Sequence, residues 1–308
     1  MSSIMQRLHD SNAFCTVSYD QIEPGLYLGS LSAAKDIDTL NKLKVSHILT
    51  IDTCVLPRNI VELPHIKTEF IKLSDQPKED LLSHFDSAIE FIETGLKHGS
   101  VLVHCYFGMS RSATVVIAYV MKKYRLSYSE ALQMVKAKRK VVHPNDGFVA
   151  QLKLYKDMEW TINRNNMKYK LFQLNLAGSQ VRVAGILPRN FHFLIQPDPG
   201  VTQSKPDPNV FRCRKCRRVL ASASNLIEHH HDRKPCTKTL FIEPIAWMNV
   251  AQNVQGKLQC PKCEHKVGSF SWVMGSQCPC GARVVPAFYL VPSKVDHANV
   301  VQNVEMTC

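Results

Sequence analysis

The sequence predicts an α/β layered domain followed by a small, β-rich, cysteine-dense module. Three observations carry this expectation. Short apolar runs alternate with helix-period segments up to about residue 160, a pattern that lays helices on a sheet. Residues 196–210 hold four prolines and few large apolar side chains. Beyond them cysteines become frequent and aliphatic runs short.

The elements follow in order. GLYLGS (25–30) and VSHILTI (45–51) are apolar runs between turn signals, as strands are; HIKTEFIKL (65–73) partly alternates, as a half-exposed strand does. Leu82, Phe85, Ile89, Ile92 and Leu96 recur at spacings of three and four, one face of a helix that Gly99 is placed to end. VLVH (101–104) predicts a buried strand and SATVVIAYVMKKY (112–124) a buried helix. Ser127 and Glu130 form a capping box for YSEALQMVKAKRK. The expected divisions are a first domain over 19–160, a connecting segment without clear period over 163–196, a linker over 197–210 and the cysteine-rich domain over 211–292.

Composition narrows the function classes. A chain of 308 residues with 45% hydrophobic content can bury one large core or two modest ones. No run of about eighteen apolar residues exists, so no membrane partner is expected. MSSIMQRLHDSNAF has no apolar core followed by a small-residue cleavage site, so no secretory signal is expected. The cysteines are therefore expected in a reducing compartment, where their number, 11, needs an explanation other than pairing. Residues 1–165 carry 20 basic and 18 acidic side chains, the remainder 18 and 8, so the second part holds +10 of the total +12. With seven thiolates and two divalent ions bound, that part would still carry +7. A polyanion such as RNA would suit it.

HCYFGMSRS, between strand and helix, has the chemistry of an oxyanion trap. A loop of this length can curl until successive backbone N–H groups point inward, and the following helix adds its positive end. Tyr106, Phe107, Gly108, Met109, Ser110 and Arg111 would line it. Gly108 allows a backbone conformation denied to bulkier residues. Arg111 can fork onto two phosphate oxygens. Cys105 would lie at the floor, a thiolate facing a bound phosphoryl group.

HCYFGMSRS resembles the signature of the cysteine-dependent dual-specificity protein phosphatases; AYVM (118–121) and PNDGF (144–148) resemble further family elements in the expected order. The resemblance spans residues 19–160. It implies a central sheet flanked by helices and hydrolysis of phosphotyrosine and phosphoserine/threonine in phosphoproteins, with no metal in the chemistry. It assigns the general acid to Asp75, thirty residues before Cys105 on a loop after a strand, with Asp80 as competitor. It also implies that Ser112 helps the thiolate leave, and gives orienting roles to His104 and Asn145. Tyr106 and Phe107 depart from the smaller residues of many relatives and, if they point outward, shape the pocket rim. KAKRK (136–140) suits a helix C-terminus, or else a nuclear address.

The second cysteine system has metal-ligand spacing. Cys213, Cys216, His229 and Cys236 predict one zinc site, with His230 and His231 as rivals for the histidine ligand. Cys260, Cys263, Cys278 and Cys280 predict a second, all-thiolate site. Neither leaves a position open for water, so both ions are expected to be structural. Cys15, Cys54 and Cys308 lack partners at ligand spacing. FRCRKCRRVL, FIEPIAWM and CPKCEHKVGSFSW resemble a zinc-binding subfamily of these phosphatases, and this resemblance covers most of the chain. It implies docking on a pre-60S ribosomal particle, with nuclear and cytoplasmic residence, and a phosphatase activity separable from that role. An RNA 5′-triphosphatase uses a similar loop, but Ser110 and Ser112 match the protein phosphatases better.

Overall fold

The computed structural model describes residues 17–201, 207–231 and 234–299. Cys15, Cys308 and residues 202–206 of the expected linker lie outside them. The chain forms two compact units that divide between Arg164 and Asn165.

The first unit is built on a five-stranded sheet in the order β1-β2-β5-β3-β4. β1 (Tyr19–Glu23) pairs antiparallel with β2 (Leu26–Gly29). β2, β5 (Ser100–His104), β3 (Val45–Asp52) and β4 (Lys67–Lys72) run parallel. Strand alternation sends Ile48 and Leu102 to one face, where they meet Leu40, Ile60 and Ile66 in one core cluster. This is the side of α1 (Leu31–Lys35), α2 (Ile37–Lys42) and α3 (Arg58–Val61). The opposite face packs α4 (Phe85–His98) and α5 (Arg111–Tyr124). Every residue of α5 from Arg111 to Met121 is buried, because α4, α6 (Tyr128–Lys138) and α7 (Asp146–Asp157) pack around it. The capping box opens α6, with Ser127 N–H donating to Glu130 Oε2 at 2.8 Å. Because β3, β4 and β5 are parallel, their C-terminal ends share one edge of the sheet. Asp52, the loop after Lys72 and the loop after His104 all emerge there, where open parallel sheets place their sites.

The second unit is β-rich and begins earlier than the sequence suggests. Residues 163–196, expected as a connector, contain an 18-residue helix, α8 (Met167–Ala184), capped by Asn166. Its buried positions are Tyr169, Gln173, Leu174, Ala177, Gly178 and Val181. That is helical spacing, but half of these residues are small or polar, which hides the period. Gly178 is demanded by close approach: a Cβ there would lie 2.7 Å from Trp272 O. The described flanks of the proline-rich stretch belong to this unit as well. Gln196 N–H donates to Pro244 O at 2.8 Å, and Arg218 pairs with Asp198 at 2.6 Å. The described residues on both sides of 202–206 thus belong to one unit rather than to two domains.

Two sheets frame this unit. One has β10 (Leu240–Phe241), β15 (Ala287–Leu290), β12 (Lys266–Ser271) and β11 (Gln255–Gln259) in that order; the other has β16 (Val295–Asn299), β6 (Asn209–Cys213) and β7 (Val219–Ser222). Two short pairs accompany them, β8 (His230–His231) with β9 (Lys234–Pro235) and β13 (Ser276–Gln277) with β14 (Arg283–Val284). The unit therefore extends past residue 292, the expected end. β16 pairs with β6 from Val295↔Cys213 to Asn299↔Asn209 and closes the sheet on its first strand. Trp272, Phe241, Phe288 and Leu290 lie in the shared core with Leu174 and Val181 of α8.

Candidate active site and metal centres

The loop from Cys105 to Ser110 leaves β5 and enters α5, and the carbonyls of residues 106–109 are all held outward. Tyr106 O accepts from Leu31 N–H (3.1 Å) and Met109 O from His143 N–H (2.8 Å). Phe107 O and Gly108 O accept from the Arg139 guanidinium, at 3.1 Å from Nη2 and 2.9 Å from Nε. A trans peptide points C=O and the next N–H in opposite directions, so outward carbonyls turn the N–H groups of residues 107–110 inward. Gly108 N–H donates to Cys105 Sγ at 3.2 Å. Gly108 has φ +70°, and a Cβ there would stand 2.5 Å from Gly29 O. Backbone conformation and steric contact both demand glycine at this position.

Cys105 is buried, and its sulfur accepts a second hydrogen bond from Ser112 Oγ at 3.1 Å. Arg111 is anchored by Nη1, which donates to Asp52 Oδ1 (2.7 Å) and Leu73 O (3.3 Å). Its Nε is buried without a protein partner. A guanidinium fixed at one end, with an unpaired donor left at the other, suits an incoming oxyanion. Asp75 Oδ1 accepts from Ser110 Oγ and Asn145 Nδ2, both at 2.7 Å, which brings the loop after β4 onto the Cys105 loop. Asp80 faces elsewhere. Its carboxylate accepts from Ser83 N–H (3.0 Å) and Ser83 Oγ (2.6 Å) at the start of the turn before α4.

His104 is completely buried. Burial pulls its pKa down to about 4, so the ring is neutral near pH 7. Nδ1 lies 3.3 Å from Cys105 O, which can only accept, so Nδ1 carries the proton and Nε2 accepts from Thr50 Oγ1 at 2.8 Å. His104 orients the loop. Tyr106 and Phe107 are 46% and 42% exposed, their rings edge-to-face with centroids 4.7 Å apart, so both point outward. Asp52 and Arg139 escape sequence reasoning. Asp52 ends a strand run and Arg139 is hidden in KAKRK; only the parallel register and the α6 terminus bring them to the loop.

The eight metal-ligand candidates gather into two groups, but the grouping corrects the sequence expectation. Cys213 and Cys216 meet Cys260 and Cys263; His229 and Cys236 meet Cys278 and Cys280. The pairs interleave along the chain. β15 runs into β16, which pairs with β6, and Arg214 N–H donates to Lys294 O at 3.1 Å. This carries the first knuckle to the second instead of to its sequence neighbours. His229 is buried, with Nε2 lacking a hydrogen-bond partner, whereas His230 is directed elsewhere, in a short strand pairing with Pro235; the His231 side chain lies outside the described residues.

These donor sets fit zinc. Four ligand sulfurs at about 2.3 Å from one ion stand about 3.8 Å apart. Sγ separations are 3.8 Å for Cys213–Cys263, 3.5 Å for Cys216–Cys260 and 3.8 Å for Cys236–Cys278. Three knuckles share one turn geometry. Cys213, Cys260 and Cys278 each donate N–H to a carbonyl beyond the knuckle, and Arg217, Glu264 and Gly281 take positive φ. Crowding sets the thiols against one another. The Arg218 N–H draws the Cys216 thiol down to about 7, while burial pushes that of Cys260 up to about 12. A cation is what lets four such sulfurs ionise together.

Known proteins resemble this chain in sequence. The family profile described as "Dual specificity phosphatase, catalytic domain" matches residues 26–158. Dual specificity protein phosphatase MPK-4 of Drosophila melanogaster is 43% identical, covering 94% of this chain and 90% of its own. The chain belongs to the dual-specificity protein phosphatases. It groups with dual specificity protein phosphatase 12, whose Homo sapiens member is 31% identical over 94% of this chain and 92% of its own. The crystal structure of the Yvh1 phosphatase domain from Chaetomium thermophilum is 31% identical, covering 46% of this chain and 97% of that one, with a TM-score of 0.44. This phosphatase is thus a phosphoric monoester hydrolase with a cysteine-rich second unit able to hold zinc. Among the described residues, no helix is long and apolar enough to cross a membrane.

Proposed function

We propose that this phosphatase hydrolyses phosphotyrosine and phosphoserine/threonine through a phosphocysteine. The supporting observation is a buried Cys105 sulfur beneath inward N–H groups, beside an anchored Arg111 whose Nε has no protein partner. Arg111 and the N–H groups of residues 107–110 hold the phosphoryl oxygens. Cys105 Sγ attacks phosphorus; the S–P bond forms as the P–O bond breaks, and Asp75 gives its proton to the leaving oxygen. The Asp75 carboxylate then takes a proton from water as that water's oxygen bonds to phosphorus. The S–P bond breaks, and the Ser112 hydroxyl, 3.1 Å from Sγ, stabilises the departing thiolate. Cys105→Ser should bind inorganic phosphate but lose turnover by about three orders of magnitude or more; a variant with full turnover would overturn the scheme.

The second unit in this proposal binds two structural zinc ions, each closed by four protein ligands, so their contribution is to folding rather than hydrolysis. Its basic excess, +10 by side-chain count and +7 with the thiolates and both ions included, supports a second role, docking on a pre-60S particle in nucleus and cytoplasm. In cells lacking the protein, a full-length Cys105→Ser chain that restores large-subunit assembly would support a docking role independent of catalysis. Failure of that chain alongside rescue by the unaltered one would tie the role to hydrolysis.

A further inference from the structure

We propose that the start of α7 is a clamp, made by Asn145, Gly147 and Gln151, that holds the acid loop in its productive position and fixes which oxygen of Asp75 carries the proton. It rests on Asp75 being the general acid. These are positioning residues; they act through Asp75.

Three contacts grip residues 75–82 from one helix. Asn145 Nδ2 donates to Asp75 Oδ1 at 2.7 Å. At Gly147, a Cβ would stand 1.9 Å from Pro77 O, so the loop backbone lies directly on the helix backbone. Gln151 is buried and takes both ends of the loop's return: its Oε1 accepts from Leu81 N–H (3.0 Å) and Leu82 N–H (2.7 Å), while its Nε2 donates to Glu79 O (2.8 Å). Asn145 joins three elements at once. Its Oδ1 caps α7 by accepting from Phe148 N–H (3.0 Å), and its own N–H donates to Ser110 Oγ (3.2 Å) on the phosphate loop. Ser110 Oγ in turn donates to Asp75 Oδ1 (2.7 Å).

The chemistry follows from donor count. Asp75 Oδ1 receives two donated hydrogens, which occupy its lone pairs. A proton on the neutral carboxyl is therefore carried by Oδ2, the oxygen left to face the leaving group. Loss of the Asn145 donor or displacement of the loop frees the carboxyl to rotate and to withdraw, and proton delivery suffers most where the leaving oxygen needs it most.

The test measures kcat/KM of full-length protein over aryl phosphates whose leaving groups span several pKa units. Asn145→Ser keeps a cap acceptor for Phe148 N–H but removes the donor to Asp75 without adding a charge; Gly147→Ala lifts Pro77 off the helix. Asp75→Asn is the reference. Both clamp variants should lose about tenfold or more beyond their loss on good leaving groups when the leaving group is poor. They should also keep inorganic phosphate inhibition and, for Asn145→Ser, thermal stability. A steep dependence in Asp75→Asn with uniform losses in both clamp variants would overturn the clamp alone. A uniform loss in Asp75→Asn would overturn the acid assignment, and the clamp with it.

Discussion

Arg139→Lys should loosen the phosphate loop while leaving the nucleophile in place. Arg139 is 3% exposed and supplies four hydrogen bonds: to Gly108 O, Phe107 O, Ser18 Oγ and Asp20 Oδ2. Lysine keeps the charge near half-exposed Asp20, an ion pair worth at most about 1 kcal/mol, but one ammonium cannot reach both loop carbonyls. Each orphaned buried carbonyl costs about 1–3 kcal/mol. With one of the two carbonyls left orphaned, the cost is about 1–3 kcal/mol. A first unit of this size shifts its melting temperature by roughly 3 °C per kcal/mol, so a fall of about 3–9 °C is expected. Freed carbonyls also release the N–H groups behind them, so inhibition by inorganic phosphate or vanadate should weaken by about tenfold, roughly the 1.4 kcal/mol of one lost hydrogen bond. The assay pairs thermal unfolding with inhibition constants. A variant within about 2 °C and about twofold of the unaltered protein would refute the claim that Arg139 shapes the loop, a threshold set near the error of such measurements.

Three further outcomes are expected. His104 is neutral when folded, with its pKa lowered to about 4 from 6.5. The unfolded chain therefore binds more protons between these values, and stability present above pH 6.5 is lost as pH falls toward 4, by about 3 kcal/mol. Denaturant titrations should show this slope in the unaltered protein and a flatter one in His104→Asn. Asp52→Asn should keep Arg111 in place less firmly and lower kcat/KM by about tenfold or more across all leaving groups, unlike the acid-loop variants; a leaving-group-dependent loss would contradict the anchoring role. Removing Cys213 and Cys216 together should leave a cobalt(II)-loaded centre with the absorption of three sulfurs and one nitrogen, whereas a four-sulfur spectrum would restore the contiguous grouping.

The first unit was the more legible of the two, for physical reasons. Leu82 to Leu96 and the Ser127–Glu130 box are local signals, and local chemistry set those helices. Residues 101–113 carried a strand, a loop and a helix in one run, so Cys105, Gly108 and Arg111 could be found without tertiary knowledge. Asp52 and Arg139 could not, because their value comes from strand register and from a helix end packed 31 residues away from the carbonyl it serves. In the second unit, α8 hid behind Gln173, Ala177 and Gly178, buried positions that are polar or small, Gly178 being required by close approach. Spacing identified the eight ligand candidates but could not pair them. Knuckles are local, whereas their pairing depends on β16 returning to β6.

Interleaved ligation bears on how the chain is made. Cys213 to Cys236 leave the ribosome as a complete set of four donors, yet that set is drawn from two different centres. Their true counterparts begin at Cys260, 24 residues later, a delay of about one to five seconds at ordinary synthesis rates. An ion caught early by the contiguous set must be surrendered before the native unit can close. Under the proposed zinc ligation, free zinc during translation is a hazard to this half of the molecule as well as its requirement.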